Sequence, residues 1–277
     1  MLFYCSSINQ SICFFLSFFF LQLFVFSMFS DSSTHDRIKA VIFDIGGVVV
    51  QSPFIAISQY EREHGLPANY INVALSKRGA DGAFQRYERG EIGHDAFLDQ
   101  WTDELNEVAE NNAAYRRYLE RRKLDVHMVL PQSTQINGGV LFAHMMEVAK
   151  TPNTCVVELI KWLRHSGYRV AALTNNFKSD ATSGRMRDEL FSTLFDEFVE
   201  STVVGLRKPD PRFYMHVCNK LEVRPTETVF LDDIGANLRA ADRLGMSAVH
   251  VEIGREDEAV ETVKKIVRAR GIHAPKL

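Results

Sequence analysis

Apolar and polar positions alternate with different periods along this chain, and the period changes twice. Ile38-Lys39-Ala40-Val41-Ile42-Phe43 is a short, almost unbroken apolar run that ends in Asp44 and then Gly46-Gly47. Such a run, bounded by turn residues, predicts a buried parallel strand. From Ser52 to about Pro152 no strong strand pattern follows. Helical stretches occur instead, for example Phe54–His64, His94–Val108 and Asn112–Lys123. In the second of these Phe97, Trp101, Leu105 and Val108 recur at helical intervals. From Thr154 helices and strands alternate. Thr154 is expected to cap a helix over Cys155–His165, whose Val156, Leu159, Ile160 and Leu163 share one face, with Gly167 ending it. Strands are predicted at Tyr168–Leu173, Thr228–Leu231 and Ser247–Val251. Helices are predicted from Pro211 to about Leu221, over Asn237–Leu244 with Gly245 beyond, and over Glu256–Arg270. Strands alternating with helices imply a Rossmann-like, doubly wound parallel α/β sheet. Residues 38–52 and 150–277 would form the core, with a helical insertion at 53–149 after the first strand.

The first thirty residues stand apart. Ser11 to Phe29 reads SICFFLSFFFLQLFVFSMF, without a charge. As a helix these 19 residues would span about 28 Å, close to a bilayer core. No Lys or Arg precedes the run and no small-x-small cleavage site follows it, so an anchor fits better than a cleaved signal. Met28 opens a sequence ordinary for a soluble protein, and residues 1–27 outside the working protein are the competing expectation. A cytoplasmic protein is expected, with membrane attachment only if residues 11–29 are a true anchor. The body has Cys155 and Cys218, read as buried thiols of a reducing compartment rather than a disulfide framework. The net charge of −3 offers no basic field for nucleic acid. No His-x-His or Cys-x-x-Cys pair suggests zinc, and Gly46-Gly47 lacks the spacing of a phosphate-binding nucleotide loop. Trp101 and Trp162 fall at apolar helical positions and are expected in the core.

Chemistry gathers at strand ends. Asp44 ends the first strand, Thr174 and Asn175 the second, Asp232 and Asp233 the third, and Lys208 lies in the loop Gly205–Asp210. Parallel strands place these ends side by side, at the edge where open α/β sheets bind ligands. Each is bland alone: a strand-end Asp is usually a turn former, and Asp232-Asp233 could cap the next helix. Together they form an all-oxygen carboxylate cluster, which favours a hard cation such as Mg2+. A hydroxyl, an amide and an ammonium beside it would suit phosphoryl oxygens. An Asp facing that phosphorus can attack it.

Phe43-Asp44-Ile45-Gly46-Gly47-Val48, Leu173-Thr174-Asn175-Asn176, Arg207-Lys208-Pro209-Asp210 and Leu231-Asp232-Asp233-Ile234-Gly235-Ala236-Asn237 occur in this order. They resemble the four motifs of the haloacid dehalogenase-like hydrolases, over about Ala40 to Val251, with the helical insertion where that family's C1 cap sits. More narrowly they are similar to the phosphatase domain of soluble epoxide hydrolase and to the related domain fused to some acyl-CoA dehydrogenases. The chain ends soon after this core, so epoxide opening and dehydrogenation are not expected. The resemblance implies Asp44 as nucleophile and metal ligand, the Gly46 carbonyl and Asp233 as further Mg2+ ligands, and Thr174 and Asn175 on the phosphoryl oxygens. Lys208 would neutralise charge, Asp232 would orient Lys208, and Asn237 would support the metal side of the loop. It departs at Gly46, where phosphatases of the family carry a second Asp that protonates the leaving oxygen. Glu91 or His94 from the cap are the substitutes considered. The expected activity is Mg2+-dependent hydrolysis of a small phosphorylated metabolite, with a homodimer left open. The rivals are a catalytically impaired module that binds a phosphorylated ligand or a protein, and a metal-free 2-haloacid dehalogenase.

Overall fold

The computed structural model describes residues 36–177 and 193–271. The apolar segment 11–29, and with it the anchor expectation, lies outside the described residues. Among the described residues no helix is long and apolar enough to cross a membrane.

Five parallel strands form one sheet: β1 (Ala40–Phe43), β2 (Arg169–Thr174), β3 (Glu197–Glu200), β4 (Thr228–Asp232) and β5 (Ser247–His250), in the order β3-β2-β1-β4-β5. Strand pleating sends alternate side chains to opposite faces, and both faces are covered. On one, Val41, Phe43, Val170, Ala172, Val229 and Leu231 pack with α7 (Thr154–His165) and α11 (Glu256–Arg270). On the other, Ala40, Ile42, Ala171, Leu173 and Phe230 pack with α9 (Pro211–Leu221) and α10 (Gly235–Arg243). The short α8 (Ser201–Val204) continues β3 directly.

Between β1 and α7 the chain builds six helices: α1 (Phe54–Glu63), α2 (Tyr70–Lys77), α3 (Ala83–Glu88), α4 (His94–Asn106), α5 (Val108–Arg122) and α6 (Gly138–Val148). They enclose apolar clusters of their own. Ile57, Phe97, Trp101, Leu105, Leu141 and Phe142 belong to the larger, and Tyr70, Tyr115, Leu119 and Leu130 to the smaller. The strands leading out of and back into the sheet run side by side. The Gln51 N–H donates to the Thr151 carbonyl at 2.8 Å, and the Asn153 carboxamide donates to the Val48 and Val50 carbonyls at 2.8 and 3.2 Å.

Several expectations need correction. The predicted His94–Val108 helix ends at Asn106, and Val108 starts the next one, four residues before the predicted Asn112. Asn153, not Thr154, precedes α7, and its carboxamide is engaged by the loop after β1 instead of capping the helix. Cys218 is buried, but Cys155 is exposed, because the first turn of α7 turns that position outward. Trp101 is fully buried and Trp162 partly so. The edge strand β3 carried no sequence signal: four residues bracketed by glutamates do not show a period.

Candidate active site

Strand register sets the site. Phe43 is level with Ala172 and Leu231, so the next residues of β1 and β4, Asp44 and Asp232, emerge together, and the Asp44 N–H donates to the Leu231 carbonyl at 2.9 Å. Thr174 ends β2 on the same edge. Carboxylate oxygens of Asp44, Asp232 and Asp233 lie within 4.8 Å of one another.

Lys208 enters this cluster from the loop between α8 and α9. Its ammonium sits 2.8 Å from Asp44 Oδ1 and 2.8 Å from Asp232 Oδ2, with its side chain fully buried. Burial alone would pull the ammonium's pKa down, but Asp232 and Asp44 outweigh that and hold it above its usual value. Asp232 is further held by the Asn237 carboxamide, 3.0 and 3.1 Å from its two oxygens, and by the Ile234 N–H at 2.8 Å. Asn237 therefore secures the partner of Lys208. The Asp232 oxygens are thus engaged by donors, leaving Asp44 and Asp233 as the carboxylates open to a cation.

Burial pushes the Asp44 carboxyl well up; Lys208 opposes this, while Asp232 and Asp233 add to it. Burial also raises Asp233, to about 7, with the charge of Asp232 adding to the shift. Asp44 Oδ1 accepts from the Ile45 N–H at 2.7 Å as well as from Lys208. Among the described residues Oδ2 has no hydrogen-bond partner. Asp233 Oδ2 accepts from the Ser52 hydroxyl at 2.9 Å, which sequence reading missed because 181 residues separate the two. The Asp233 carboxylate lies against Gly47, where a Cβ would come within 2.0 Å of Oδ2, and Gly47 also has a φ of +80°. Only glycine satisfies both demands. The Gly46 carbonyl accepts no hydrogen bond among the described residues, so it too is open to a ligand. All-oxygen donors, two of them carboxylates whose ionised form is disfavoured by burial and mutual repulsion, fit a hard divalent cation.

The Asn175 carboxamide donates to the Lys208 carbonyl at 3.1 Å and accepts from the Lys208 N–H at 2.8 Å. It clamps the lysine's backbone and leaves one amide hydrogen without a partner among the described residues. The Thr174 hydroxyl makes one long contact, 3.4 Å to the Asn175 carbonyl.

Of the two cap residues considered as substitutes for an acid at Gly46, Glu91 is exposed and hydrogen-bonded to Arg89, which holds its carboxyl below the usual range. A group so ionised is a poor proton donor. His94 packs among Tyr87, Phe97 and Phe142, its Nδ1 3.0 Å from the Tyr87 hydroxyl. Phe177, which follows the Thr174–Asn176 turn, stacks on Tyr87 with centroids 5.3 Å apart and meets Phe84 and Phe142. An aromatic wall of the helical layer therefore borders the Thr174–Asn176 turn, another feature without a sequence signal.

Comparison with known proteins agrees with this geometry. The mouse protein "Acyl-CoA dehydrogenase family member 10" is 31% identical over 83% of this chain and 19% of its own length. The pig "Bifunctional epoxide hydrolase 2" is 28% identical over 87% of the chain and 40% of its own length. The chain thus spans less than half of either relative. The Aspergillus oryzae "Sesquiterpene phosphatase astK" is 26% identical over 77% of the chain and 89% of its own length. A solved structure of a predicted hydrolase of this fold from Porphyromonas gingivalis superposes with a TM-score of 0.52 at 20% identity, over 84% of this chain and 98% of that one. The family profile for haloacid dehalogenase-like hydrolases matches residues 38–245. Those residues include β1 to β4 and all the polar strand ends described above, and the chain belongs to the haloacid dehalogenase-like hydrolase family.

Proposed function

We propose that this hydrolase is a Mg2+-dependent phosphomonoester phosphatase acting on a small phosphorylated metabolite through Asp44. The observation that carries this reading is the three-carboxylate cluster held within 4.8 Å around a single buried ammonium. Its excess negative charge calls for a cation, and its free donors suit phosphate.

Asp44, Asp233 and the Gly46 carbonyl would hold Mg2+, which when bound neutralises charge on the phosphoryl oxygens. Thr174, the remaining Asn175 amide hydrogen and Lys208 would orient those oxygens. The free oxygen of Asp44 attacks phosphorus, the bond to the leaving oxygen breaks, and an aspartyl-phosphate forms. Water then attacks that phosphorus, releasing inorganic phosphate and restoring Asp44. Because Gly46 offers no proton, the leaving oxygen departs with its electron pair and takes its proton from solvent. Substrates whose leaving oxygen is weakly basic, such as acyl phosphates and sugar 1-phosphates, need least help. The relative named a sesquiterpene phosphatase, which matches over most of its length, supports phosphate-ester hydrolysis.

Gly46 also favours a second reading, a phospho-ligand binding module. Turnover of a panel of phosphate esters, acyl phosphates and sugar 1-phosphates with Mg2+ or EDTA separates the two. The phosphatase reading predicts Mg2+-dependent phosphate release, lowered by a factor on the order of 10^4 or more in Asp44→Asn. Ligand binding without turnover by any panel member would favour the module. Dehalogenation of a 2-haloacid indifferent to EDTA would favour the dehalogenase.

A further inference from the structure

The loop that carries Lys208 is gripped from the helical insertion at a point that sequence motifs do not mark. Glu88, the last residue of α3, is 6% exposed. Its carboxylate oxygen Oε2 accepts from Arg207 Nε at 2.7 Å and lies 2.6 Å from another nitrogen of the same guanidinium. Arg207 immediately precedes Lys208. The backbone carbonyl of Glu88 accepts from the hydroxyl of Ser201, itself fully buried, and that hydroxyl accepts from the Asn176 N–H at 2.9 Å. Two residues on, Gly90 turns with a φ of +72° and packs against the backbone of Thr202. One residue of the insertion therefore holds the Arg207-Lys208 loop directly and reaches the turn after Thr174-Asn175 through the Ser201 hydroxyl. These two loops are joined to each other only a residue away, where the Asn175 carboxamide brackets the Lys208 backbone.

We propose that Glu88 and Arg207 are a positioning pair: docking of α3 through this ion pair and Ser201 sets the Lys208 loop and the Thr174–Asn176 turn in their working register. This rests on the phosphatase reading for its catalytic consequence, but not for its geometry. A buried ion pair contributes little net stability compared with an apolar contact of the same volume. What it supplies is direction: two guanidinium nitrogens converge on one carboxylate oxygen and fix the angle at which the loop leaves α8. Direction matters here because the Lys208 ammonium must meet two carboxylates at 2.8 Å each, and misplacement by about 1 Å costs up to about 10^2 in rate. Glu88 acts through Arg207 and the backbone, not on substrate.

The test reads amide hydrogen exchange at Lys208 and Asn176 without substrate, alongside kcat and KM, in Glu88→Gln, Arg207→Lys, Arg207→Ala and the double variant Glu88→Gln/Arg207→Ala. Loss of a charge-assisted buried bond predicts exchange about tenfold faster at those two amides in Glu88→Gln and Arg207→Ala, with the amides of β1 and β4 unchanged. The expected kinetic effect is a kcat about tenfold lower at unchanged KM. Arg207→Lys restores part of it, and the double variant is no worse than the worse single one. Unchanged exchange at Lys208 and Asn176 in folded Glu88→Gln or Arg207→Ala overturns the proposal, as do additive effects in the double variant. If the wild type hydrolyses no phosphate ester while the exchange pattern holds, the phosphatase reading fails and the positioning of the two loops stands.

Discussion

At the scale of residues, the site is a problem in charge. Three carboxylates cluster where one buried ammonium pairs with two of them, Asp44 and Asp232, and burial holds Asp44 and Asp233 above their usual titration range. Under the phosphatase reading, Gly46 is the residue at which the first motif departs from the pattern it resembles. Nothing in the packing demands glycine there: a Cβ would find Pro53 at 3.4 Å, an ordinary contact. Gly46→Asp should therefore fold and supply the missing acid. The expected outcome is a gain of about 10^2 to 10^4 in kcat for simple alkyl phosphates, with little gain for acyl phosphates. Equal gains on both, or none on either in a folded variant, would show that proton donation is not what limits this site.

At the scale of elements, three of the four motifs were legible because each is a strand end with a chemical residue; the fourth, around Lys208, is a loop just before a proline-led helix. The strands β1, β2 and β4 are apolar enough to show as strands. Their register could not be read, yet it is register that makes Asp44 and Asp232 level. Ser52, Glu88 and Ser201 were invisible for the same reason: each acts on residues far away in sequence, Ser52 on Asp233 and Glu88 on Arg207. Thr154 read as the cap of its helix, but Asn153 is the residue that precedes it, and tertiary contacts claim the Asn153 side chain. The helices between β1 and α7 carry separate apolar clusters, so their stability should be partly their own. Trp101 is fully buried and stacks on Phe97 at 5.4 Å. Trp101→Ala should cost about 3–5 kcal/mol and raise hydrogen exchange in α1, α4 and α6 well before β1, β2 and β4. Equal loss of protection in both groups would mean that helices and sheet unfold as one unit.

At the scale of the whole molecule, the acidic cluster links stability to pH and to the cation. An unfolded aspartate titrates near 3.8, whereas Asp233 in the folded protein titrates at about 7. Below both values the group is protonated in either state and makes no difference. Between them the unfolded chain ionises first, so in EDTA folding stability falls as pH rises through that window and stays lowered above it. Mg2+ binds the ionised form, so it should raise the melting temperature more at about pH 8 than at about pH 5. An equal shift at both, or none, would contradict the assignment of Asp233 to a cation site. The central claim is that Asp44 takes the phosphoryl group covalently. The most direct measurement is a mass spectrum of the peptide bearing Asp44, from protein mixed with Mg2+ and a turned-over phosphate ester and quenched in acid within one turnover. The account predicts that this peptide gains one phosphoryl group, labile to base and absent in Asp44→Asn. Turnover with no such adduct at any quench time would mean that water attacks the ester directly, and Asp44 would not be the nucleophile.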